Sequence, residues 1–159
     1  IETVARLQRR VRPSAGYARS LSVLARAGSV GLTSKSSIMV GLGETDDEVD
    51  GCLADLASGG CDIVTIGQYL RPSVTHLLVE RWVEPAVFER WRRVGQALGI
   101  AHVEASPLTR SSYHARQAAE MVGPPGFEPG SNRPKRSSIG QTNPRALMPF
   151  HWRGSDEGY

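Results

Sequence analysis

Ser36-Ser37-Ile38-Met39-Val40-Gly41-Leu42-Gly43-Glu44-Thr45-Asp46-Asp47-Glu48-Val49 contains the change of period that decides the fold. Ser36 to Gly41 is short, apolar and closed by glycine, the pattern of a buried parallel strand. Thr45 and Glu48 then have the T-x-x-E spacing of a capping box, in which each side chain satisfies an amide of the first helical turn. Val49, Leu53 and Leu56 continue as a helical apolar stripe, and Gly59-Gly60 stops it.

Working outward, Asp62 to Tyr69 reads as a second buried strand, followed by an irregular loop containing Arg71-Pro72-Ser73. From Pro85 to about Leu98, Val87, Trp91, Val94 and Leu98 recur on one helical face, with proline suited to the first turn and Gly99 closing the helix. Ala101 to Ala105 is a short third strand and Ser112 to Val122 a last helix. Upstream, Val4, Leu7 and Val11 predict a helix from Ile1 to about Arg12, ended by Pro13. Leu21, Leu24 and Ala25 predict another from Tyr17 to Ala27, with Gly28 as its C-cap. Strand alternating with helix predicts an α/β architecture with right-handed crossovers.

Composition agrees with a soluble, intracellular chain of about one domain's size: 159 residues, 40% hydrophobic, 6% aromatic and 22% charged. The longest apolar runs are strand-sized, far below the roughly 20 residues that span a bilayer. Ile1 is not followed by a basic cap and apolar core, so no signal peptide is expected. The net charge of +3 is not a nucleic-acid footprint, because residues 1–121 hold 14 Lys/Arg against 13 Asp/Glu. The rest of the excess lies in 122–159, with 5 against 3. Cys52 and Cys61 are too few for a disulfide framework and too far apart for a CxxC knuckle, so both are expected to be packed small residues.

Residues 122–159 hold six of the ten prolines and no hydrophobic periodicity, and this segment is expected to be a disordered tail beyond a folded 1–121. Gly126-Phe127-Glu128-Pro129 can be encoded by GGATTCGAACCC, whose reverse complement resembles the T-arm of a transfer RNA gene. On that reading the tail was not selected as protein, and its basic residues, His151 and Trp152 carry no function; a flexible basic tail is the alternative.

Taken alone, the chemistry-bearing stretches stay ambiguous. Gly41-Leu42-Gly43-Glu44 lies at the C-terminal edge of a parallel strand, where ligands bind, yet two glycines there also make a tight turn and Glu44 suits a helix N-terminus. Neither G-x-G-x-x-G nor G-x-x-x-x-G-K-[ST] is present, which disfavours a nucleotide-phosphate loop. Arg110-Ser111-Ser112-Tyr113-His114 could be an ordinary helix start. His76, His102, His114 and His151 have no zinc spacing, and no G-x-S-x-G elbow exists.

Three stretches occurring in order narrow the reading: Thr33 to Val49, Cys61 to Pro85 and Ser106 to Ala115. Together they resemble the lipoyl synthases, over roughly residues 1–120. The resemblance implies the C-terminal half of a partial (β/α) barrel from a cytoplasmic radical S-adenosylmethionine enzyme that inserts two sulfur atoms into a protein-bound octanoyl group. It implies two [4Fe–4S] clusters and S-adenosylmethionine as cofactors. The implied partners are octanoylated lipoyl-domain proteins or glycine cleavage H protein, together with the barrel's first half. Ser112 would ligate the auxiliary cluster, with Ser111 as the alternative if the register is off by one, and Arg110 would support the loop. Ser37 to Glu44 resembles the family's G-x-I-x-G-x-x-E element, with Ser37 in place of the first glycine and Met39 in place of the isoleucine, so Gly41, Gly43 and Glu44, with Gln68 and Tyr69 on the next strand edge, would face S-adenosylmethionine.

Two departures stand against that pattern. Leu78 replaces a usual proline, and neither cysteine triad is present, so catalysis by these residues alone is not expected. A noncatalytic remnant that binds an octanoylated carrier without iron is the alternative.

Overall fold

The computed structural model describes residues 1–112 together with Glu120 and Val122. The described elements run α1 (Ala5–Val11), α2 (Tyr17–Ser29), β1 (Lys35–Val40), α3 (Asp46–Ser58), β2 (Ile63–Gln68), α4 (Pro85–Ala97) and β3 (His102–Ala105). The three strands form one parallel sheet in the order β1-β2-β3, with Ser37 opposite Thr65 and Thr65 opposite Glu104. Parallel neighbours need crossovers, and α3 and α4 provide them.

One face of the sheet makes the core. Ile38, Val40, Val64, Ile66 and Val103 pack with Val49, Leu53 and Leu56 of α3 and Phe88 and Trp91 of α4. Each such buried side chain contributes about 1.5–3 kcal/mol through area removed from water. Phe88 and Trp91 meet edge to face at 5.6 Å, a geometry favoured by the ring quadrupoles. The opposite face is polar on β1 and β3: Lys35, Ser37, His102 and Glu104 are only half-buried, whereas β2 is buried throughout.

The capping box forms as expected. Glu48 N donates to Thr45 Oγ1 at 3.2 Å, and Thr45 N to the Glu48 carboxylate at 2.9 Å. The first helix is shorter than its periodicity suggests. Ile1–Thr3 is not helical: the Glu2 carbonyl accepts from Met39 N at 2.8 Å along the free edge of β1. An edge strand's unpaired backbone groups outweigh weak local helix propensity there. Gly28 lies inside α2, which runs on to Ser29 before Gly31 turns the chain with φ +81. On α4 the buried face is Phe88, Trp91 and Gly95, while Leu98 is left 42% exposed. The last expected helix lies mostly outside the described residues, and so does the expected tail, all but Val122.

Candidate functional site

Gly41 and Gly43 take φ +98 and +101, which L side chains rarely adopt, so the chain can turn sharply off β1. Glu44 folds back into that turn. Its buried carboxylate accepts from Gly41 N at 2.5 Å and Leu42 N at 2.9 Å. Arg6 closes the loop from the other side, donating to the Gly43 carbonyl at 2.8 Å while its guanidinium grips Glu48. A Cβ at Gly41 would collide with the Gln68 side chain and the Arg81 carbonyl. The loop's glycine and acid are thus occupied by the protein's own framework.

Gln68 is used in the same way. Its amide nitrogen donates to the carbonyls of Arg81 at 3.1 Å and Tyr69 at 3.2 Å, and its oxygen accepts from Val83 N at 3.0 Å. This one buried side chain ties the 80–83 segment to the end of β2. Tyr69 anchors the intervening loop through its hydroxyl, which donates to Leu77 O at 3.0 Å.

Gln68, Tyr69, Arg110 and Ser111 come together around a cavity of about 360 Å³, with Ser37 and Thr65 among the residues of the sheet that line it. Gly41, Gly43, Glu44 and Ser112 are not among its lining residues. Ser112 is exposed, as is Ser111 on the cavity's rim. Arg110 bonds its own loop, donating to Thr109 O at 2.8 Å and Pro107 O at 3.3 Å. Tyr113 and His114 lie outside the described residues.

Gly67 is the residue that sequence reasoning missed. A Cβ there would collide with the Thr109 carbonyl, so only glycine lets the loop after β3 rest on the β2 backbone. The seat is completed by Gln68 N donating to Pro107 O at 3.2 Å and by the Ser106 and Thr109 hydroxyls, 2.9 Å apart. An isolated glycine inside a strand pattern is itself the signal of such close backbone approach.

Over 122 residues, 77% of its length, the chain is 53% identical to the lipoyl synthase of Mycobacterium tuberculosis (strain ATCC 25618 / H37Rv). This chain is homologous to part of lipoyl synthase. The lipoyl synthase of Mycobacterium avium (strain 104) is 54% identical over 123 residues, 75% of the chain. That of Pelodictyon phaeoclathratiforme (strain DSM 5477 / BU-1) is 54% identical over 116 residues, 72% of the chain. The chain covers 39%, 40% and 40% of these three lipoyl synthases, so it spans about two fifths of the curated relatives it matches. No protein-family model matches it.

Both cysteines are packed small residues, as their spacing suggests. Cys52 is buried on α3, and burial pushes its pKa up to about 11; Cys61 is buried before β2 and is raised for the same reason. Among the described residues no group of three His, Cys, Asp or Glu side chains could hold a metal ion. Among them, too, no helix is long and apolar enough to cross a membrane.

Proposed function

We propose that this chain is the C-terminal portion of a lipoyl synthase, a radical S-adenosylmethionine sulfurtransferase, contributing three strands of its partial (β/α) barrel. The observation that carries the reading is the 53% identity over 122 residues. The gathering of Gln68, Tyr69, Arg110 and Ser111 at one cavity supports it further. The parent reaction is insertion of two sulfur atoms into an octanoyl group carried by a lipoyl-domain protein or glycine cleavage H protein in the cytoplasm.

The S-adenosylmethionine site is assigned to Gly41, Gly43, Glu44, Gln68 and Tyr69, with unequal roles. Tyr69 and Gln68 form part of the cavity wall, while Glu44 frames the turn after β1. The unpaired, buried Thr65 hydroxyl at the same cavity is consistent with a ligand there. S-adenosylmethionine held by these residues would supply hydrogen-abstracting radical chemistry once an electron is delivered to it.

The two clusters do not fit these residues. Ser112, or Ser111 in the other register, offers one hard oxygen donor and no neighbouring thiolate, so cluster chemistry is assigned to cysteines outside these 159 residues. The second reading is a noncatalytic form that binds the octanoylated carrier without iron. The test combines this chain with the cysteine-bearing remainder of a lipoyl synthase, anaerobically reconstituted with iron and sulfide, then adds S-adenosylmethionine, a low-potential reductant and an octanoyl-lysine peptide, reading sulfur insertion by mass spectrometry. Sulfur insertion only in the mixture is expected; carrier binding with no insertion in any mixture selects the second reading.

A further inference from the structure

Thr65 stands in the middle of β2 with one hydrogen-bonding group unused. Val64 and Ile66, its neighbours along the strand, pack into the core, so alternation turns Thr65 and Gly67 to the opposite, polar face of the sheet. There the loop after β3 passes over the strand, since a Cβ at Gly67 would meet the Thr109 carbonyl. Thr65 is 2% exposed, and its hydroxyl has no hydrogen-bond partner. Neither of its cross-strand neighbours, Ser37 on β1 or Glu104 on β3, takes it. A hydroxyl kept from water without a partner is destabilising, and few in native proteins are left so.

Among the described residues that bury an unpaired polar side-chain atom, Thr65 is the one that lines the cavity of about 360 Å³. The wall around it offers little spare charge. Glu2 is the one acid and Arg110 the one arginine in the lining, and both are engaged within the protein, Glu2 by Arg12 at 2.6 Å and Arg110 by the carbonyls of Thr109 and Pro107. Ser37, Gln68 and Thr109 add uncharged polar groups, and Met39 and Leu77 add apolar surface. Such a wall suits the neutral polar edge and flat faces of a purine nucleoside. An ammonium or carboxylate would need counter-charges that are already taken.

We infer that the Thr65 hydroxyl hydrogen-bonds the nucleoside part of S-adenosylmethionine and sets its position against β2. This role for Thr65 rests on the assignment of the cavity to that cofactor. As both donor and acceptor, the hydroxyl can serve a ring nitrogen, an amino group or a ribose hydroxyl. Thr65 shares its sheet face with Gly67, on which the loop carrying Arg110 and Ser111 rests, so the contact places the nucleoside beside the serine loop.

Amide shifts of the ¹⁵N-labelled 159-residue chain, titrated separately with S-adenosylmethionine, adenosine and methionine, test the contact. Saturable shifts of Thr65 to Tyr69 are expected with S-adenosylmethionine and adenosine, and none with methionine. Thr65→Val should weaken both nucleoside ligands about tenfold, while the free chain melts no lower than wild type because no internal hydrogen bond is lost. Thr65→Ser should restore binding, and Thr65→Ser against Thr65→Ala isolates the hydroxyl should the valine variant fail to fold. Wild-type binding that Thr65→Val leaves unchanged would overturn the role of Thr65 while the cofactor assignment stands. A valine variant that loses stability together with binding would do the same, making Thr65 a packing residue. Shifts with methionine and none with adenosine would overturn the nucleoside contact, and no saturable shift with any of the three would overturn the cavity assignment along with it.

Discussion

Gly67→Ala should destabilise the chain by about 1–3 kcal/mol, since the new methyl group must push the Thr109 carbonyl off the strand. Gly51→Ala is the control. It lies in α3 with nothing near its Cβ position, so alanine there should stabilise by about 0.5–1 kcal/mol through helix propensity. Chemical denaturation of both variants checks the pair. Burial likewise separates the thiols from solvent: Cys52 should resist thiol reagents in the native state and react on unfolding. Its raised pKa stabilises the fold fully below the ordinary thiol value near 9.0, and that contribution is lost as pH rises through about 11. Alkaline melts of wild type and Cys52→Ala should converge over that window. The fates of Glu44 and Gln68 were not legible in the sequence: acid or amide beside glycine suits ligand contact and loop framing equally, and only distances separate them.

At the scale of elements, the periodic and capped segments were read correctly because local chemistry and tertiary burial agree there. The 45–60 region is the clearest case, with Val49, Leu53 and Leu56 buried behind a formed capping box. Thr45→Ala should cost about 1 kcal/mol, measured by urea denaturation. Arg6 hydrogen-bonds Glu48 and, with the Thr45 amide, holds its carboxyl down at about 2. This contribution is present above the ordinary value of 4.5 and is lost as pH falls through about 2. Arg6→Met should therefore flatten the acid limb of stability between those values in thermal melts. Gln68→Leu should cost about 1–3 kcal/mol, because Val83 N and Arg81 O lose their buried partners. Ile1–Thr3 was misread because three apolar-to-polar residues carry no reliable period, while the pairing that fixes them lies 37 residues away at Met39.

At the scale of the molecule, the three-stranded parallel sheet was legible from the order of strand and helix signals, and the homology to part of lipoyl synthase from motifs that are weak singly. A cavity of about 540 Å³ was not, because it is built from residues of the N-terminal segment, α2, β1 and Ser111 whose proximity no spacing announces. On the proposed function, this chain supplies sheet, cavity and serine loop to a lipoyl synthase whose cluster thiolates lie elsewhere. Anaerobic reconstitution with iron and sulfide, followed by iron and sulfide analysis and electron paramagnetic resonance, addresses that division directly. No cluster on the 159-residue chain alone, and clusters on its mixture with the cysteine-bearing remainder, is the predicted result. A stable [4Fe–4S] cluster on this chain by itself would contradict the account.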